Sequence, residues 1–120
     1  PMSSALLALL AAEGLTVTEA AVDHTRDHHG RPCVDVWWRI SPSLYVLGRG
    51  EIIGAIGTGP DEESARRACA ADLRAVLRGH LAAVADDLTG SRPRSGESLV
   101  RAAAHHRRVA ALVAAAEAAQ

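Results

Sequence analysis

Four side chains in one ten-residue window, His24, His28, His29 and Cys33, are of the types that bind zinc. Imidazole nitrogen and thiolate sulfur are zinc donors, and spacings of four to five residues converge where a loop folds back. Cys33, however, opens a strand whose alternation points it one way only, and no second ligand pair stands nearby. His28 and His29 therefore read first as solvated loop residues or as a contact surface, and no cofactor is expected.

A second feature is Gly54-Ala55-Ile56-Gly57-Thr58-Gly59, which opens into a helical pattern. Gly-rich strand-to-helix turns can offer N–H groups to phosphate. Here no Lys follows, and Asp61, Glu62 and Glu63 in the first turn would repel an anion. The glycines instead suggest a tight turn and a helix cap. A third is the run from Ser91 to Arg108, with five Arg (92, 94, 101, 107 and 108) against Glu97 alone. Such a cluster suits a phosphate backbone or an acidic partner, and equally a solvated face plus a flexible linker. The fourth is the pair Trp37 and Trp38. Adjacent strand residues face opposite ways, so one anchors a core and the other lies on the opposite sheet face. The acidic pairs Glu62-Glu63 and Asp86-Asp87 sit at neighbouring helix positions and diverge. No triad-like arrangement suggests itself, and the chain is read as non-catalytic.

These residues must be positioned by a short list of elements. Leu6, Leu7, Leu9 and Leu10 give one apolar face to a helix over Ser4–Glu13, with Gly14 past its end. Leu15–His24 reads as a strand, Thr25–Pro32 as a loop, and Cys33–Ile40 as the clearest strand, with Val34, Val36, Trp38 and Ile40 on one face. Ser41-Pro42-Ser43 predicts a turn. Leu44–Leu47 and Glu51–Ile56 then form a hairpin or one bulged strand. A second helix starts near Pro60, capped by Thr58 or Gly59, with a stripe of Cys69, Leu73, Leu77, Leu81, Val84 and Leu88 and a kink or break at Gly79. Gly90–Gly96 reads as a linker. A third helix over Glu97–Ala118 carries Leu99, Ala102, His106, Val109, Val113 and Ala116 on one side.

The expected fold is therefore α+β: a helix, an antiparallel meander of three or four strands, then two helices. Residues 1–90 would form the core domain, 91–96 the linker, and 97–120 an amphipathic helix packed on the core or on a partner. Helices one and two would cover one sheet face. The 13 basic residues, all Arg, against 14 acidic ones leave a net charge of −1 and no global footprint for nucleic acid. The longest apolar run, Ala5–Ala12, is too short to span a bilayer and lacks a basic flank. Without CxxC spacing, Cys33 and Cys69 read as reduced packing residues, with one disulfide as the alternative, and the location as cytoplasmic.

The order of elements from Ser3 to about Arg78 resembles the double-stranded RNA-binding domain. The stretch Gly57-Thr58-Gly59-Pro60-Asp61-Glu62-Glu63-Ser64-Ala65-Arg66-Arg67-Ala68-Cys69-Ala70-Ala71 looks like that family's Gly-rich approach and Ala-rich second helix. His28, His29, Gly30, Arg31 and Pro32 occupy the loop with which the family touches the minor groove. The family grips phosphates from a basic cluster at the start of its second helix; this chain has Asp61, Glu62 and Glu63 there. The resemblance therefore implies the dimerising, protein-binding use found among degenerate members. The meander-plus-helix pattern is also similar to the arm-binding domains of tyrosine recombinases.

Two partner classes follow. The first is a second copy or another protein, met by Trp37 or Trp38 on the open sheet face and by the third helix. The second is double-stranded nucleic acid, met by Arg26, His28, His29 and Arg31 on the loop and Arg101, Arg107 and Arg108 on the third helix. A metal or ligand site at His24, His28, His29 and Cys33 is the remaining alternative. No membrane partner is expected.

Overall fold

Alternation of apolar and polar residues builds the sheet. In a computed structural model, which describes residues 8, 11–12, 14–46, 50–90 and 95–118, strands β1 (Thr16–Arg26), β2 (Pro32–Val46) and β3 (Gly50–Gly59) form one antiparallel sheet in the order β1-β2-β3. Val34, Val36, Trp38 and Ile40 of β2 are buried on one face. The ladder between β1 and β2 runs from Thr16 opposite Ser41 to Arg26 opposite Pro32, with a shift between Glu19 and Ala21. That extra residue keeps both Glu19 and Val22 on the face of Trp38 and Val36. The helix expected over residues 4–13 lies largely outside the described residues, of which 8, 11 and 12 are helical.

Two expected loops are shorter or absent. The one assigned to Thr25–Pro32 shrinks to the turn after Arg26. There Gly30 N–H donates to Asp27 O and Asp27 N–H to Arg31 O, both at 2.9 Å. The Asp27 carboxylate also accepts from the N–H groups of His29 and Arg31. Gly30 has φ +76°, the left-handed residue that closes a type I turn into a right-twisting hairpin. The turn expected at Ser41-Pro42-Ser43 is continuous strand, because Ser41 still pairs with Thr16. Pro42 falls within the shift between Arg39 and Leu44, where the missing N–H disturbs no regular ladder position.

Helix α1 (Glu62–Thr89) crosses the buried face of the sheet. Its N-cap is Asp61, whose carboxylate accepts from Ser64 N–H at 2.7 Å; Thr58 and Gly59, the expected caps, belong to β3. Ala65, Cys69, Leu73 and Leu77 are fully buried, at a spacing of four that holds one face of the helix against the sheet. Gly57 is the point of closest approach. A Cβ there would lie 2.2 Å from Cys69 N and 2.3 Å from Ala65 O. The Gly-rich stretch is thus a seat for helix backbone. Gly79, expected to kink or break α1, lies within one continuous helix with open space around its Cα.

Helix α2 (Gly96–Ala118) follows Ser95, whose hydroxyl accepts from Ser98 N–H at 3.2 Å. It packs on α1 and joins the same core through Val109, Leu112 and Val113. Leu99, expected on the inner side, is exposed, and Leu112 takes a buried place instead. Among the described residues no helix is long and apolar enough to cross a membrane.

Two substitutions test this packing by thermal or denaturant unfolding. Gly57→Val should cost ~3 kcal/mol, because its side chain must displace the α1 backbone. Gly79→Ala should stabilise by ~0.5–1 kcal/mol, because it restores helix propensity into open space.

Candidate functional site

The sheet has one face under α1 and a second that neither described helix covers, since α2 packs on α1. Alternation and register arrange on the second face three rows that span all three strands. Arg39 lies between Thr18 and Gly54, Trp37 between Ala21 and Ile56, and Asp35 between Asp23 and Thr58. Trp38 is 2 % exposed in the core. Trp37 is half-buried, and its indole lies over Gly54, where a Cβ would stand 2.8 Å from Trp37 Nε1. The Arg39 guanidinium carbon stands 5.1 Å from the Trp37 ring centroid, a cation–π contact. Ile56 is 60 % exposed beside it. Thr58 Oγ1 donates to Asp35 Oδ1 at 2.7 Å.

A groove of about 610 Å³ lies at the other end of the hairpin, between the ends of β1 and β2 and the start of α1. Its lining includes His24, Arg26, Cys33, Asp61 and Glu62. His24 Nε2 donates to Glu62 Oε1 at 2.9 Å, and Arg66 donates to Glu62 at 3.1 Å and to Glu19 at 2.9 and 3.1 Å. Trp38 Nε1 donates to Glu19 Oε1 at 3.2 Å. This chain of contacts pins β1 to α1. The Arg66 hydrogen bond holds the Glu19 carboxyl below its usual range, and the His24 and Arg66 bonds do the same for Glu62. The Glu19 hydrogen bond in turn raises Arg66.

The other sequence candidates are dispersed. His24 is taken by Glu62, while His28 and His29 lie on the exposed turn with ring centroids 3.9 Å apart. Cys33 and Cys69 are free thiols. Among the described residues no group of three or more His, Cys, Asp or Glu side chains could hold a metal ion, so the set His24, His28, His29 and Cys33 does not assemble. Arg26 Nη1 donates to Gly30 O at 2.8 Å, and Arg31 belongs to the same turn. Arg101 lies near Glu97 at 3.5 Å. Arg107 is exposed, and the Arg108 guanidinium lies against Gly14. Gly14 precedes β1 and the turn follows it, so the loop cations and Arg108 sit about 35 Å apart at opposite ends of an 11-residue strand.

Periodicity gave no sign of two further contacts. Asp72 Oδ2 accepts from Ile56 N–H at 2.8 Å and so covers part of the outer edge of β3. Beside it, the Cys69 thiol donates to Ala55 O at 3.4 Å, and burial pushes its pKa up to about 11. The other contact joins α1 to α2. His80, 2 % exposed, has its Nε2 at 3.0 Å from His105 Nε2, the rings nearly perpendicular. One nitrogen must donate and the other accept, so the contact holds a single proton. Burial lowers the pKa of both, aided by His105 for His80 and by Arg108 for His105. Comparison with protein-family models, with curated proteins and with solved structures gives no match.

The histidine pair sets the sign of an acid response. Both groups titrate lower in the folded chain than in the unfolded one, so the unfolded chain binds more protons at mildly acidic pH. The contribution is fully present above the ordinary histidine value of 6.5 and is lost as pH falls below it. Urea unfolding should show stability level above that pH and declining below it, ahead of the carboxylate range. His80→Leu should flatten the decline between pH 6.5 and 5; an unchanged slope would place the acid sensitivity elsewhere.

Proposed function

We propose that the chain is a non-catalytic interaction module that pairs with a second copy of itself through the uncovered sheet face. The observation that carries this reading is Trp37. It is a large aromatic in the middle row of that face, half-buried, with Ile56 exposed next to it, and the described helices lie elsewhere. Aromatic and aliphatic area of this kind on a rigid strand is the usual anchor of a protein contact. The three-stranded meander followed by a long helix with an acidic start fits the dimerising use of double-stranded RNA-binding-like domains. The free thiols Cys33 and Cys69 fit a cytoplasmic setting. Nucleic-acid contact has less support. It would need the loop cations and Arg108 to share one ligand from opposite ends of β1, and Arg26 shares its groove with Asp61 and Glu62.

Sedimentation across a concentration series tests the reading. The wild-type chain should show a concentration-dependent dimer. Trp37→Ala should weaken it by at least ~2 kcal/mol, about thirtyfold in Kd, with the circular dichroism unchanged. A wild-type chain that stays monomeric at several hundred micromolar would overturn it.

A further inference from the structure

We infer that the two copies meet face to face about a two-fold axis lying along the middle row, Ala21–Trp37–Ile56, so that Arg39 of each chain pairs with Asp35 and Asp23 of the other. This rests on the self-pairing proposed above and adds its register and its chemistry.

The charges on the face carry the inference. Asp23 and Asp35 are directly opposite each other across the β1–β2 ladder. Two carboxylates in that relation repel. Thr58 supplies a hydroxyl to Asp35, but among the described ion pairs no cation reaches either carboxylate. Arg39 stands on the same face in the same condition. It rests on Trp37, its ladder neighbours are Thr18 and Gly54, and no described ion pair includes it. The acidic row and the basic row are each two residues from Trp37 along β2, on opposite sides of it.

That spacing makes the face complementary to itself. A two-fold axis along the middle row sends each row beyond it onto its mirror row, so the Arg39 row of one copy lies over the Asp35 row of the other. Trp37 then faces Trp37, and Ile56 faces Ile56. The contact is isologous and closed: each copy offers one guanidinium and two carboxylates and receives the same. An axis along the strands would instead set Arg39 on Arg39 and Asp35 on Asp35. With its carbon 5.1 Å from the Trp37 centroid and no described ion pair using it, the Arg39 guanidinium can offer its N–H fork to a carboxylate without leaving Trp37.

Area sets the strength. Three strands spaced ~4.8 Å apart and about ten residues long give a face of roughly 500 Å² in projection, at the small end for a stable contact. A surface of that size depends on its aromatic centre and on charge pairing at its flanks, and it predicts a dimer in the micromolar range.

Charge reversal on the full chain tests the register, read by sedimentation at low and moderate salt, with thermal unfolding to show that each variant folds. Arg39→Asp and Asp35→Arg should each weaken the dimer at least about tenfold. The double variant R39D/D35R should recover most of that loss, because in this register the exchanged charges again meet their opposites. If wild type dimerises, Trp37→Ala breaks it and both single reversals leave it intact, the register is overturned while self-pairing stands. The register is likewise overturned if the double variant is as weak as the singles. A monomeric wild type removes both proposals. A variant that fails to fold is replaced by Arg39→Gln or Asp35→Asn, each of which should weaken the dimer in the same direction and reduce its salt dependence.

Discussion

The approach of α1 to the bare backbone of Gly57 is the constraint on which the rest of the structure depends. With no side chain at that point, the helix comes down until Cys69 N and Ala65 O occupy the space of a Cβ. Ala65 and Cys69 are small enough to permit it and are fully buried as a result. Helix and strand then lie close enough for Cys69 to reach Ala55 O and for Asp72 to reach the N–H of Ile56. A larger residue at any of these positions would lift the helix and open the core formed with Val34, Val36 and Trp38.

Once α1 is seated, the remaining surfaces have little choice. The helix is 28 residues long, about 42 Å at 1.5 Å per residue, and outruns the sheet-facing stripe that ends at Leu77. Its further half presents His80 and Val84, both buried, and α2 packs against the helix through Val109, Leu112 and Val113. Burying His80 is tolerable because His105 meets it, so neither ring loses its hydrogen-bonding partner. The network from His24 through Glu62 and Arg66 to Glu19 and Trp38 fixes β1 against the start of the helix. With α1 and α2 on one side, the other face of the sheet carries, among the described residues, Trp37, Arg39, Asp23, Asp35 and Ile56.

Much of this was legible in the residues. The alternation of Val34, Val36, Trp38 and Ile40 identifies β2, sets its two faces and separates the two tryptophans. The stripe Cys69, Leu73, Leu77 identifies α1. Both signals are local: a period of two or of 3.6 names the structure that repeats with it. Other signals were ambiguous for the same reason. Ser41-Pro42-Ser43 has turn composition, yet the neighbouring strand continues to pair with Ser41. Gly79 is a poor helix former, yet the helix on either side is held by tertiary contacts. Gly57 and Gly59 carry turn composition too, and only the approach of another element gives them their role.

By itself, then, the sequence determined the α+β class, the two faces of β2, the sheet-facing stripe of α1, and the opposition of Trp37 to Trp38. The tertiary structure alone decided that α2 sits on α1, so that neither described helix covers the second sheet face, and that His80 meets His105. It also placed the loop cations and Arg108 at opposite ends of β1, and the metal-ligand types apart. The division has one physical cause. Backbone periodicity is written within a few residues of chain, whereas burial, charge pairing and ligand convergence depend on groups brought together from far along it, such as Glu19 with Arg66 or His80 with His105.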